Sequence, residues 1–248
     1  MKDYTHLLLT SWNINANNDS IYDNAKFDAE KWMAHRELLF DSIVVPMIKA
    51  QSSKDFIWVL SFDERTPMRL INKYEKLPGI KVQIIYEMHK PWVQKSYKRY
   101  NTKWLITSRM DNDDFLWPTT IENLQQLFLN ANQTCLIDFY RIFWRIEEDT
   151  FFLDNRHSPN SPFISVMEDI TDGIPRTVFY DSHTTMPKHF PSQKFQQYLG
   201  VCGITSYNQI IDKVTGMPVP IDIEIRIREE MNRVGIKVPL QLKQPLKG

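Results

Sequence analysis

The sequence predicts an α/β chain: a mostly parallel sheet flanked by helices, followed by an antiparallel, loop-rich carboxyl-terminal part. Short apolar runs of strand length alternate with helical patterns over the first two thirds of the chain, which is the order a helix-covered parallel sheet produces. The runs are rich in aromatic and β-branched residues, as in strands buried on both faces. From residue 134 onward the pattern becomes β-rich and aromatic instead. At 248 residues the chain fits one α/β domain spanning 1–248, although two smaller domains would also fit that length.

The first strand is expected over 6–12, followed by a polar Asn/Asp-rich loop to about residue 24. A helical pattern then spans about 28–50, with Trp32, Leu38, Leu39, Ile43 and Ile48 at helix-compatible spacings and Pro46 as its kink or end. Phe56-Ile57-Trp58-Val59-Leu60-Ser61-Phe62 reads as a buried strand ending at Asp63. A helix over 67–76, a Pro78-Gly79 turn and a strand over 80–86 follow. A helix over 91–100 leads to a strand over 103–108. After Trp117 a helix runs to about residue 132, opened by Pro118 and striped by Ile121, Leu124, Leu127 and Phe128. Residues 134–152 read as antiparallel additions to the sheet, and 154–191 as short strands mixed with loops. A charged helix over 221–234, with Glu224 and Arg228 at helical spacing, stops at Gly235.

Thirty basic and thirty acidic side chains cancel, so the overall field offers no reason to expect a nucleic-acid partner. An anionic ligand must therefore be captured locally. Lys90, Lys95, Lys98, Arg99, Lys103 and Arg109 precede an acidic stretch and could do so, or could form a solvated helix face. Cys135 and Cys202 sit in no zinc-type spacing. The apolar run Leu7-Leu8-Leu9 is too short for a signal peptide or a membrane span. A cytoplasmic location is expected, with peripheral membrane contact left open.

Arg109-Met110-Asp111-Asn112-Asp113-Asp114 falls just past a strand's carboxyl end, the edge where open α/β sheets bind ligands. Its carboxylates repel one another unless a cation or ordered hydrogen bonds offset the repulsion. Magnesium or manganese suits such oxygens and leaves coordination positions for substrate phosphates. The plainer alternative is a polar turn leading to a helix. Asp63 occupies a second acidic strand end that could line the same crevice.

Ile106-Thr107-Ser108-Arg109-Met110-Asp111-Asn112-Asp113-Asp114 resembles the DxD region of GT-A (Rossmann-like) glycosyltransferases, above all a rhamnosyltransferase family of bacteria and phages. Residues 32–40 with Arg36, then Pro46, Gln51, the run from Phe56 to Asp63, and Thr66-Pro67 also fit that family's pattern. Ser161-Pro162-Phe163 and the His183 region add weaker similarity, and the likeness extends over about residues 5–190. It implies a GT-A fold with a nucleotide-sugar-binding half, 1–132, and an acceptor-side half, 133–248. It also implies a divalent metal, Mn2+ or Mg2+, on Asp111 and Asp113 extended by Asp114, and donor contacts from Asp63, Arg109, Asp111 and Asp113. Asp63 could equally cap the next helix. Where common family-2 enzymes carry an Asp-Asp-Gly-Ser type sequence, this chain has Ser61-Phe62-Asp63-Glu64-Arg65, which leaves the nucleotide open.

An inverting transfer requires a base near the acceptor hydroxyl. Glu168 and Asp169, after the run Phe163-Ile164-Ser165-Val166-Met167, are the first candidates, and Asp181 is the alternative. His183, or else His189, could complete the metal shell or simply be a structural histidine. The expected activity is a metal-dependent hexosyl or rhamnosyl transfer from a nucleotide-sugar donor to a glycan, lipid-linked or protein acceptor. A nucleotidyltransferase using the same acidic strand end and a non-catalytic sugar- or metal-binding module are the alternatives. With seven glycines in the chain, no Gly-rich phosphate loop is visible.

Overall fold

Alternation along the first strand shows how the chain divides its core. A computed structural model describes residues 3–14, 20–24, 28–154, 163–204 and 216–243. In β1 (Tyr4–Ser11) the residues Leu7, Leu8 and Leu9 are all fully buried. Successive side chains of a strand point to opposite faces, so Leu8 joins one hydrophobic cluster while Leu7 and Leu9 join another. The expectation of a sheet covered on both sides is met here.

α1 (Ala29–Leu39) opens on Asp28, whose carboxylate accepts the Glu30 and Lys31 amides. It runs through a wider π-helical turn at Phe40–Val44 into α2 (Val45–Lys49). The helix expected over 28–50 therefore continues, and the irregularity precedes Pro46. The proline has no N–H for the ladder and its ring crowds the preceding turn. β2 (Ile57–Ser61), α3 (Met68–Glu75), β3 (Lys81–Ile85), α4 (His89–Ser96) and β4 (Trp104–Arg109) follow in the expected order. Next come β5 (Phe115–Leu116) and α5 (Thr120–Ala131), which ends at Asn132 in the left-handed region, φ 44°.

On the first face, Trp12 stacks on Phe62 at 5.3 Å and Phe40 on Trp58 at 5.3 Å, with Tyr74 edge-on to Phe40 at 5.0 Å. Each such pair adds about 0.5–1.5 kcal/mol beyond the area it buries. This aromatic block joins α1, the π-helical turn and α3 to β1 and β2.

β4, β1, β2 and β3 lie side by side and parallel. β8 (Ser165–Asp169) joins β4 antiparallel, and β6 (Cys135–Arg145) joins β8 antiparallel. β7 (Thr150–Asp154) and β10 (Gly216–Pro218) extend that side antiparallel. β9 (Ser192–Ile204), absent from the expectations, runs parallel to β6 and also pairs antiparallel with β5. A buried polar chain crosses the junction of the two halves: Gln125 Nε2 to His6 Nδ1 at 3.2 Å, His6 Nε2 to Ser108 Oγ at 2.8 Å, and Ser108 Oγ to Ser165 Oγ at 2.7 Å. Because these polar atoms are buried, register slips between β1, β4 and β8 would leave them unpaired. α6 (Ile221–Arg233) closes the described chain with a short turn at Leu240–Lys243. Cys135 and Cys202 are buried free thiols. No helix among the described residues is long and apolar enough to cross a membrane.

Candidate active site

The parallel strands β1, β2 and β4 all end at one edge, and the chain is tied down as it leaves each of them. Trp12 N–H donates to the Ser61 carbonyl at 2.9 Å, and Met110 N–H donates to the Leu9 carbonyl at 3.1 Å. The acidic turn therefore crosses the carboxyl end of the central strand. Asn112 holds it there through a hydrogen bond from Nδ2 to the Trp12 carbonyl. Behind the turn, buried Gln51 donates to the carbonyls of Leu116 and Trp117 at 3.2 and 2.9 Å and accepts the Ile121 amide at 3.2 Å.

Each carboxylate of the turn has a different partner. Asp111, with 38% of its side chain exposed, accepts from Arg109 Nε and Nη2 at 3.1 and 3.0 Å. Asp113 meets Arg36 Nη1 at 2.7 Å, and both side chains are nearly buried at 11% and 6% exposure. Asp114 is buried and accepts the Gly203 amide at 3.1 Å. Burial first, then the charges of Asp113 and Asp111, pushes its carboxyl well above the usual range. The approach of β9 is close: a Cβ on Gly203 would lie 2.1 Å from the Asp113 carbonyl oxygen, so only glycine fits.

Beside the turn opens a cleft of about 480 Å³, lined by Ser11, Ser61, His89, Lys90, Arg109, Phe179, Asp181 and His183 among others. Phe179 lies between His89, stacked at 5.2 Å, and the Arg109 guanidinium, 5.6 Å from the ring. Asp181 accepts the Ser182 amide at 2.7 Å and faces His189 Nε2 at 3.0 Å. The His189 hydrogen bond is the largest cause holding its carboxyl below the usual range. Burial, then the Arg109 and Arg141 charges, pushes His183 down to about 4. Arg109 itself is held more firmly protonated by the Asp111 charge.

Arg109, Asp181 and His183 thus share one cleft, and Asp111 is bonded to the first of them. The other expected residues lie elsewhere. Because β8 runs antiparallel, Asp169 pairs with Trp104 and Glu168 with Leu105, at the amino end of β4 and away from the acidic turn. Glu168 is buried and accepts the Arg176 and Thr177 amides at 2.9 and 2.7 Å. It anchors the loop that Val178 N–H then fastens to Thr107 Oγ1 at 2.9 Å, and that loop carries Phe179, Asp181 and His183 to the cleft. Asp169 accepts the Thr171 amide at 2.9 Å. Neither acid reaches the site as a base.

Asp63 ends β2 at the correct edge, but its oxygens accept from Arg65 N–H at 2.7 Å, Nε at 2.9 Å and Nη2 at 2.8 Å. Arg65 is the main cause holding its carboxyl far below the usual range. The clamp is completed by Asn13, which accepts the Asp63 amide at 2.8 Å and donates to Thr66 Oγ1 at 2.8 Å. Asp63 is therefore a turn anchor in this structure. Ser161 and Pro162 lie outside the described residues.

Among the described residues, no three His, Cys, Asp or Glu side chains form a metal-binding group. Asp114 is turned toward β9 and His183 stands on the cleft wall, so neither completes such a set. Asp111 and Asp113 are carboxylates of the type a hard divalent ion takes, and each is paired with an arginine, Arg109 and Arg36. Burial first, and then the charges of Asp113 and Asp111, raise the Asp114 carboxyl, and a cation would relieve the part that is repulsion. Their carboxylates would supply protein ligands and a bound diphosphate the remainder.

Sequence reasoning left Arg36 without a role and passed over His89 and Gly203. For Arg36 there was a signal: a cation one helical turn from Trp32 on a face otherwise buried, its guanidinium 5.1 Å from the Trp32 ring.

A parallel half-sheet with an anchored acidic turn and a cationic cleft at its carboxyl edge defines an α/β protein with its ligand edge beyond the strand ends. The family model described as "Putative rhamnosyl transferase" matches residues 10–201, and the chain belongs to that family. No curated protein matches. Among solved structures, the chain is similar to Staphylococcus aureus TarS 1-349 at 9% identity and a TM-score of 0.46, over 80% of this chain and 60% of that one. It therefore spans about 60% of the TarS fragment's length. A "putative nucleotide-diphospho-sugar transferase" from Desulfovibrio desulfuricans G20 aligns at 8% identity, over 94% of this chain and 97% of that one, with a TM-score of 0.43. A cytidylyltransferase from Leptospira borgpetersenii aligns at 11% identity over 100% of both chains, with a TM-score of 0.45.

Proposed function

We propose that the chain transfers a sugar, rhamnose or another hexose, from a nucleotide-sugar donor to a hydroxyl of a glycan, lipid-linked or protein acceptor. The observation that carries this reading is the cleft itself: Arg109, Lys90 and Asp181 line it together, beside the edge where the acidic turn crosses β1. Family membership supports it.

Arg109 and Lys90 hold the donor diphosphate by charge-assisted hydrogen bonds. Asp181 accepts the proton of the acceptor hydroxyl as that oxygen attacks the anomeric carbon, and the nucleoside diphosphate departs with the electrons of the broken bond. Asp111 and Asp113 would hold manganese or magnesium, which when bound would neutralise charge on the leaving diphosphate. Asp114 and Gly203 keep the turn in place during the reaction.

Incubating the protein and Mn2+ with UDP-, GDP- and dTDP-sugars tests the reading. Nucleoside diphosphate is expected from at least one donor, and Asp181→Asn is expected to slow its release by about 100-fold or more. Release of sugar 1-phosphate would instead indicate nucleotidyl transfer. No release from any donor, or full turnover in Asp111→Asn, would also sink the proposal.

A further inference from the structure

Between Glu87 and Asp111 the chain carries no acid, while Lys90, Lys95, Lys98, Arg99 and Lys103 fall on α4, on the 3-10 turn Tyr97–Tyr100 and on the lead into β4. In a chain whose charges otherwise cancel, such a run gives one part of the surface a field of its own. The last four of these cations are exposed. Glu87 meets Lys95 at 2.7 Å and Asp169 stands 4.0 Å from Lys103, both at the surface, where such pairs neutralise little. Asp3 accepts the Lys103 amide at 3.2 Å, and Asp172 is exposed on the loop after β8. Among the described residues Lys98 has no acidic partner. Arg99 lies against the rings of Trp92 and Tyr100, at 4.7 and 5.0 Å, instead of against a carboxylate.

Lys98 and Lys103 line one hollow of about 380 Å³ at the amino end of β4, with Asn101, Thr102 and Thr171 as its other polar groups. Ammonium, amide and hydroxyl groups together suit a phosphate. Beside the hollow, Gln94 Nε2 donates to the Pro175 carbonyl at 3.1 Å and ties the loop after β8 to α4. That loop presents Ile174, which is 66% exposed. A Cβ on neighbouring Gly173 would meet nothing within 4 Å, so the tip stands clear of the protein. An isoleucine held out in water beside a cationic helix matches a bilayer surface, where the apolar chain enters the headgroup layer and the cations meet lipid phosphates. A purely anionic partner such as nucleic acid leaves Ile174 without a role.

We propose that the face formed by α4, the turn Tyr97–Tyr100 and the loop carrying Ile174 docks on a bilayer containing anionic phospholipid, with a headgroup phosphate seated between Lys98 and Lys103. Surface binding and sugar transfer are separate properties, so either can fail without the other.

The test is co-sedimentation of the full chain with vesicles of phosphatidylcholine alone and of phosphatidylcholine with about one third phosphatidylglycerol, at about 0.1 M and about 0.5 M salt. Binding is expected on the anionic vesicles at the lower salt and should fall at the higher. The double variant Lys98→Glu with Arg99→Glu should lower the partition about tenfold or more, and Ile174→Ser about threefold or more. Lys237→Glu is the charge control, because Lys237 is exposed and follows Ile236, which packs in the other hydrophobic cluster from the one that holds α4. It should change the partition by less than about twofold. Every altered side chain is exposed, so the circular-dichroism melts should match that of the wild type. Equal binding to the two kinds of vesicle, binding to neither, unchanged binding in the double variant or an equal loss in Lys237→Glu overturns the proposal. Retention of a short single-stranded RNA without binding to vesicles also overturns it and assigns the face to nucleic acid.

Discussion

Arg36 and Asp113 form the ion pair beneath the acidic turn, at 2.7 Å and almost out of water. Two charges taken from water must compensate each other, and removing one leaves the other buried without its partner, at a cost of about 3–5 kcal/mol. Arg36→Met is therefore expected to lower stability by about 3 kcal/mol, read as a lower urea midpoint. The double variant Arg36→Met with Asp113→Asn should recover part of the loss because it no longer buries a lone carboxylate. A double variant as unstable as the single one would show that the pairing is not the source of the effect. The acidic residues were legible in the sequence as a cluster, but their separate roles were not. Asp111, Asp113 and Asp114 differ in what meets them: Arg109 two residues back, Arg36 on a distant helix, and Gly203 on a later strand. Only the first partner is local enough to be read from the chain.

Among the elements, β9 is the longest that sequence patterning did not disclose. Its first residues, Ser192-Gln193-Lys194, are polar, and it is held by β6 and β5 rather than by any local signal. The π-helical turn at Phe40–Val44 was equally silent, since a widened turn keeps the apolar face that an ordinary helix would show. β9 matters to the site because Gly203 packs against the turn's backbone. Gly203→Ala would set its Cβ 2.1 Å from the Asp113 carbonyl oxygen, forcing the strand away from the turn. We expect a loss of about 1–3 kcal/mol and a fall in donor turnover beyond what the lower stability explains. Gly173→Ala, where a Cβ meets nothing within 4 Å, is the control and should stay within about 0.5 kcal/mol of wild type. Equal behaviour of the two variants would remove the role assigned to this contact.

At the scale of the whole molecule, the parallel half of the sheet was legible because strands covered on both faces leave long apolar runs. Strand direction was not. A buried run reads the same in either direction, so Glu168 and Asp169 looked adjacent to the site until the antiparallel β8 carried them to the other end of β4. Burial of ionisable groups across the fold also sets a pH response. His35, His89 and His183 are pushed down to about 4, 3 and 4, in each case mainly by burial. Unfolded histidines titrate near about 6.5, so between that value and about 4 the unfolded chain binds protons at these sites that the folded chain does not. Stability contributed by the neutral histidines is therefore present above the unfolded value and lost as pH falls. Asp114 acts oppositely, since its raised carboxyl keeps in the fold a proton that the unfolded chain has released, and its contribution shrinks as pH rises. Three histidines outweigh one carboxyl, although His35 and His183 are only half-buried and count for less. The urea midpoint is expected to fall on moving from about pH 7 to about pH 5, and His89→Gln should flatten that fall. A midpoint that holds steady or rises on acidification would mean that the buried histidines gain protons without unfolding.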